Sequence, residues 1–232
     1  MMTLIAEHLL RVKNRIHENE RRFHRIPNSV QLIAISKSQN LQTINEAIAA
    51  GQLAFGESYV KESLEKILKL KNYHLEWHFV GKIQRNKAKL IAENFSWVHS
   101  LSEIKTAEYL NYARKAANLP PMNACIQINL DKESNKTGIY LENLLSFTQS
   151  LQKLPNLKLR GLMIIPKIKT NFIAQREDFK KLRLALEQLQ KMGFQLDTLS
   201  MGMTDDFEAA IAEGATHIRI GTAIFGKRKF IS

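Results

Sequence analysis

TLSMGMTDDFEAAIAEGATHIRIGTAIFGKR, residues 198–228, carries two short strand-like runs on either side of one helical stretch. Thr198 to Ser200 predicts a strand, Asp205 to Glu213 a helix, and His217 to Ile220 a second strand. A strand, a crossover helix and a strand in one unit lay the two strands parallel. Thr204 is the expected N-cap of that helix. Asp205 and Asp206 then fall in its first turn, where the helix dipole favours acids.

Working outward, the same alternation fills the chain. The segment up to about Arg22 predicts an amphipathic helix, with Leu4, Ile5, His8, Leu9, Val12 and Ile16 at helical spacing. Strands are then expected at Val30–Ser36, Leu53–Phe55, Leu75–Val80, Trp97–His99, Asn123–Asn129 and Leu157–Met163, before the final two. Helices are expected between them over Leu41–Ala50, Tyr59–Leu70, Gln84–Glu93, Glu103–Ala117, Leu141–Gln152 and Ala174–Met192. Eight strands alternating with helices point to an α/β fold, a single (β/α)8 TIM barrel with an additional N-terminal helix. On periodicity alone a doubly wound open sheet stays an alternative. No linker divides the chain, so residues 1–232 are expected to form one domain.

Composition bounds the function classes. At 44% apolar and 24% charged, the chain is globular rather than disordered. Cys125 is the sole cysteine, which excludes an intrachain disulfide and a multi-cysteine metal site. The N-terminus has charges every few residues and no apolar block, and no run suits a bilayer. A cytoplasmic protein is the expectation. The charge is unusual: 34 Lys and Arg against 22 Asp and Glu give +12, which favours an anionic partner. The basic residues are dispersed, as in Lys61, Lys66, Lys69 and Lys71, and read as a solvated face.

Several motifs fail on inspection. GTAIFGKR, residues 221–228, nearly matches a phosphate loop, but Arg228 stands where the magnesium-binding hydroxyl belongs. No G-x-G-x-x-G occurs. His74 and His78 lack the adjacent glutamate and the helix of a zinc protease. Asn94-Phe95-Ser96 and Asn135-Lys136-Thr137 match glycosylation acceptors that a cytosolic chain never uses. No metal site is expected.

Barrels place their chemistry at the C-terminal ends of strands. Lys37 follows the first strand, where partial desolvation lowers an amine's pKa and makes it nucleophilic. A lysine snorkelling outward is the equal alternative. Ser200 ends the seventh strand, and Arg219, Gly221 and Thr222 end the eighth. Loops after strands 7 and 8 form the recurrent phosphate site of this barrel, although Gly and Ser also suit ordinary turns. A nucleophilic lysine beside a phosphate cup suggests a phosphorylated aldehyde, with pyridoxal 5'-phosphate the leading candidate.

At this point the sequence resembles the pyridoxal phosphate homeostasis proteins, the YggS/PROSC family, whose barrel is similar to the N-terminal domain of alanine racemase. The matching segments are IAISKSQ around Lys37, AFGESYVKE at 54–62, WHFVGKIQRNKAKLIAENFSWVHS at 77–100, QINLDKESNKTGI at 127–139, LRGLMIIP at 159–166 and residues 199–228. The resemblance implies that Lys37 is the Schiff-base lysine. It implies that Ser200, Gly221 and Thr222 hold the phosphate and that Arg219 faces the pyridine nitrogen. Ser58 stands where the family usually has Asn, so a contact near the ring is lost or bridged by water. KIKTN, residues 167–171, is more basic than the family's usual sequence.

The resemblance implies a binder rather than a catalyst, with no catalytic residues: a carrier that buffers and supplies pyridoxal 5'-phosphate. Apo-enzymes that use it are the expected partners, and amino-acid and keto-acid balance the expected downstream effect. An arginine facing the ring nitrogen is a permanent donor and weakens the ring as an electron sink. A two-base racemase needs an acid/base group on the ligand's other face. In racemases of this barrel a second β domain supplies it, and none is expected before Ser232. A weak amino-acid racemase dependent on the same cofactor is the alternative. A third class, nucleic-acid binding, lacks any recognition motif, so no specific nucleic acid or membrane partner is expected. The expected assembly is a monomer or loose dimer.

Overall fold

The computed structural model describes residues 2–133 and 136–226. The Asn135 acceptor, the Lys227-Arg228 end of the near phosphate loop and the end of the 1–232 span lie outside the described residues. Eight parallel strands run in chain order: β1 Gln31–Ile35, β2 Ala54–Glu57, β3 Glu76–Phe79, β4 Trp97–Leu101, β5 Met122–Ile128, β6 Leu157–Ile164, β7 Thr198–Ser200 and β8 His217–Ile220. β8 pairs with β1 and closes the barrel, which settles the open-sheet alternative. The surrounding helices are α1 Leu4–Arg22, α2 Leu41–Ala49, α3 Val60–Lys69, α4 Ala88–Asn94, α5 Ile104–Ala116, α6 Leu144–Leu151, α7 Phe172–Lys191, α8 Phe207–Ala212 and α9 Thr222–Phe225.

Side chains alternate across each strand, and the alternation divides the molecule. Leu32, Ala34 and Phe55 join the large core between barrel and helices. Ile33 and Ile35 turn the other way and fill the space in front of Gly56, where a Cβ would sit 3.0 Å or less from them. Trp97, Cys125 and Met163 form a separate buried cluster inside the barrel.

Helix α1 buries Ile5, Leu9, Val12 and Ile16, each contributing about 1.5–3 kcal/mol. Leu4, on the expected apolar face, is exposed instead. α1 lies across the end of the chain's last units. His8 Nδ1 is 2.9 Å from the Ile224 carbonyl of α9, and Arg15 pairs with Glu208 of α8 at 2.7 Å. The added helix therefore braces the two elements that follow β7 and β8.

Four expectations shift. The second strand runs later than Leu53–Phe55, because Leu53 is exposed while Gly56 and Glu57 are buried and pair with β3. Arg85–Lys87 and Leu141–Asn143 are short 3-10 turns that precede α4 and α6. The helix after β7 begins at Phe207, not Asp205. Asp206 Oδ1 accepts the Met203 N–H at 2.6 Å and closes a turn first, so Thr204 is not its N-cap. The one-turn helix α9 after Gly221 was not expected from the sequence.

Candidate functional site

Lys37 sits half-buried in the turn after β1, and Ser38 behind it adopts a left-handed φ of 62°. That turn is pinned from below. The buried Lys66 of α3 donates to the Ser36 carbonyl at 2.7 Å and to Glu57 Oε1 at 2.7 Å. It also meets Glu62 Oε1 at 2.5 Å, and Glu62 in turn accepts the Ser38 N–H at 2.6 Å. The Ser36 hydroxyl donates to Glu57 at 2.6 Å. Both neighbours of Lys37 are thus tied to one ion-paired cluster. Lys66 is a correction: the sequence placed it on a solvated face, but its side chain is only 7% exposed against a fully buried Glu57. Burial raises the Glu57 pKa against the opposing pull of Lys66.

The last two strands approach the same turn. Register pairs Ile33 of β1 with Arg219 of β8 and Ala34 with Ile220. Gly221 then lies against Ile35, where a Cβ would come within 3.4 Å of the Ile35 Cβ. Lys37 stands two residues above that level. Thr222 is exposed at the start of α9, and the Ala223 N–H donates to the Thr204 hydroxyl at 3.4 Å. Thr204, Gly221 and Thr222 therefore share one rim, where the first turn of a helix leaves N–H groups unpaired. Thr204 was read from the sequence only as a cap. The offset that moves it to the rim is the extra turn before α8.

Ser200 lies deeper than the rim residues. Its hydroxyl is fully buried inside the barrel, below the rim, between Arg219 Nη1 and His99 Nδ1, each at 2.7 Å. It accepts from the arginine and holds that side chain in place. Arg219 donates its other terminal nitrogen to the Ile164 carbonyl at 2.8 Å. No carboxylate lies within salt-bridge distance of it among the described residues, and burial lowers its pKa to about 10, with Asp206 opposing. Two of the five N–H donors of the guanidinium are committed, which leaves capacity for an acceptor.

Ser58 is half-buried in the bend after β2, packed under Gly81 of the β3–α4 loop, with no hydrogen-bond partner among the described residues. Within KIKTN, Lys169 pairs with Asp178 at 2.6 Å and Asn171 caps α7, so that segment adds less free positive charge than its composition suggests. Lys136 pairs with Glu133 at 2.7 Å beside a 230 Å³ cavity at the ends of β5 and β6. A groove of about 1050 Å³ lies away from this chemistry, between α1 and α2, and is lined by Met2, Leu10 and Ala49. No cluster of metal-ligating side chains occurs among the described residues.

A rim of Lys37, Thr204, Gly221 and Thr222 over a buried arginine fits pyridoxal 5'-phosphate as a donor set. It offers an amine for the aldehyde, hydroxyl and backbone donors for the phosphate, and a cation for the ring nitrogen.

Known proteins share this fold and much of this sequence. Residues 13–229 match the model of the alanine racemase N-terminal domain. A pyridoxal phosphate homeostasis protein of Pseudomonas aeruginosa is 46% identical over 229 residues, covering 99% of this chain and 98% of that protein. The protein of the same description in Escherichia coli K12 is 43% identical over 232 residues, with 99% of each covered. PipY of Synechococcus elongatus PCC7942, solved with pyridoxal phosphate bound, superposes with a TM-score of 0.85 at 35% identity, covering 96% of this chain and 100% of that one. On the barrel, the full-length match and the relatives together, this chain belongs to the pyridoxal phosphate homeostasis protein family, built on the alanine racemase N-terminal domain.

Proposed function

We propose that this chain binds pyridoxal 5'-phosphate reversibly and serves its homeostasis, buffering the free cofactor and supplying it to apo-enzymes. The observation that carries the reading is the alignment on two adjoining strands of Lys37, the Gly221-Thr222 turn and Arg219, from the rim inward. The name shared by the full-length relatives supports it, as does the bound pyridoxal phosphate of the structural relative.

In this reading the Lys37 amine is the covalent anchor for the aldehyde. Gly221, Thr222 and Thr204 hold the phosphate, and Ser200 fixes Arg219 rather than touching the phosphate itself. Ser58 lies beside the ring without a direct bond to it. When bound, the cofactor supplies an electron sink. Arg219, permanently charged, keeps the ring nitrogen from taking a proton and weakens that sink. We read residues 1–232 as a single binding unit without strong turnover, acting in the cytoplasm as a monomer or loose dimer. Among the described residues no helix is long and apolar enough to cross a membrane.

Borohydride reduction of the loaded protein, followed by peptide mapping, tests the anchor: the added mass is expected on Lys37. Free amino acids incubated with the loaded protein test the racemase alternative. Turnover that Lys37→Ala abolishes would favour the racemase over the carrier.

A further inference from the structure

The barrel interior holds a chain of polar side chains of which the binding reading uses only Ser200 and Arg219. It starts at Glu76, at the N-terminal end of β3, and finishes at Arg219. Glu76 is held by the Trp97 indole N–H at 2.8 Å and the Gln31 amide at 2.6 Å. His78 Nε2 lies 3.2 Å from Glu76 Oε2. His78 Nδ1 is 2.9 Å from His99 Nε2, and His99 Nδ1 is 2.7 Å from the Ser200 hydroxyl. Arg219 Nη1 completes the line at 2.7 Å. His78, His99 and Ser200 are each fully buried.

Valence fixes the direction of each hydrogen bond from Arg219 to His78. Arginine only donates, so the Ser200 oxygen accepts from Arg219. Among the described residues the Ser200 proton has one hydrogen-bond acceptor, His99 Nδ1. His99 is then neutral with its proton on Nε2, which points it at His78 Nδ1. His78 in turn carries its proton on Nε2, which lies 3.2 Å from Glu76 Oε2 as an electrostatic contact outside hydrogen-bond geometry. Burial disfavours charge on both rings, in keeping with neutral tautomers. Every dipole in the line points the same way, so each bond polarises the next. A carboxylate stands at one end and a guanidinium at the other.

We propose that His78, His99 and Ser200 form a one-directional hydrogen-bond relay, with the Glu76 carboxylate as its electrostatic terminus, that orients and polarises Arg219, making the two histidines positioning residues for the ring nitrogen of the bound cofactor. The inference rests on the binding reading above for what Arg219 meets, but not for the relay itself. His217 and Arg160 face the same cluster without joining the line. His217 bonds Thr216 at 2.9 Å, and Arg160 pairs with Asp197.

Nitrogen NMR of the apo-protein, with isotope-labelled histidine, reads the relay without ligand. His78 and His99 are expected as neutral Nε2–H tautomers throughout about pH 6 to 8. An imidazolium or an Nδ1–H tautomer at either residue overturns the proposal. With ring-labelled pyridoxal 5'-phosphate bound, Ser200→Ala and Glu76→Gln are expected to move the ring-nitrogen resonance and weaken retention roughly tenfold. Ser200→Thr, which keeps the hydroxyl, should restore both. Glu76 is partly exposed, so Glu76→Gln tests the relay from the end where misfolding is least expected. An unchanged ring-nitrogen signal in both variants, with Lys37 still modified, overturns the proposal. If wild type shows no modified Lys37 at all, the binding reading fails, and the apo tautomers still decide the relay.

Discussion

Two buried cations a few residues from the rim are treated in opposite ways. Lys66 sits on two carboxylates, Glu57 at 2.7 Å and Glu62 at 2.5 Å, with the Ser36 carbonyl as a third acceptor. Arg219 has a hydroxyl and a carbonyl and no carboxylate within salt-bridge distance among the described residues. A buried charge costs several kcal/mol unless it is paired and hydrogen-bonded. Lys66 is compensated by the fold itself, so its work is structural: it fixes the turn that carries Lys37. Arg219 is under-compensated. A site that keeps a desolvated guanidinium short of a counter-charge is arranged for an acceptor that arrives from outside.

The sharpest way to break this contrast is Lys66→Met. It strands the buried Glu57 carboxylate with only the Ser36 hydroxyl. Urea unfolding of the apo-protein should register a loss of about 3–5 kcal/mol, and a loss below about 1 kcal/mol would contradict the structural role.

The partner experiment is Arg219→Met. In the apo-protein it should cost less than half as much as Lys66→Met, because a poorly compensated charge leaves with the side chain. Its affinity for pyridoxal 5'-phosphate should nevertheless fall by roughly tenfold to a hundredfold, the value of a hydrogen bond to a charged group. Equal stability losses in the two variants would erase the distinction.

Acid sharpens it further, because the relay side depends on neutral histidines. His78, His99 and His217 all have pKa values lowered by burial, His217 to about 3. The folded state therefore resists protons that the unfolded chain accepts from about pH 6.5 downward. Stability present above that pH is lost as pH falls toward the folded values. Unfolding free energies measured between about pH 7 and 5 should drop with a slope above one proton. A flat profile would contradict buried, neutral rings.

The smallest effect belongs to the rim. Thr204→Val removes one hydroxyl beside α9 and should weaken phosphate retention by about 0.5–1.5 kcal/mol, with Thr204→Ser near wild type. Equilibrium dialysis against pyridoxal 5'-phosphate measures it. No loss in Thr204→Val would remove this residue from the cup.

The contrast also explains what was legible in the sequence. β7 and β8 fall where the sequence placed them, at Thr198–Ser200 and His217–Ile220; β8 is a β-rich run closed by Gly221, while three-residue β7 was weak on periodicity alone and rested on its place in the strand–helix alternation. The N-terminal helix was equally readable from its spacing. The corrections are all matters of facing. A serine at a strand end reads alike whether it faces rim or interior, so the interior placement of Ser200 beside Arg219 was not legible. A lysine at helical spacing among other lysines reads as surface, so Lys66 was missed until Glu57 appeared behind it. Thr204 moved because the aspartate turn at Met203–Asp206 delays α8. Glu76, His78, His99, Ser200 and Arg219 lie on four strands, and only the closed barrel brings them into line.

The central claim is that the rim over Arg219 receives pyridoxal 5'-phosphate through Lys37. Absorbance titration of the apo-protein tests it most directly, with wild type beside Lys37→Ala and Arg219→Met. Wild type should gain a visible band that saturates at one equivalent, Lys37→Ala should gain none, and Arg219→Met should gain a band of altered position with weaker saturation. No band in wild type, or an undiminished one in Lys37→Ala, would contradict the account.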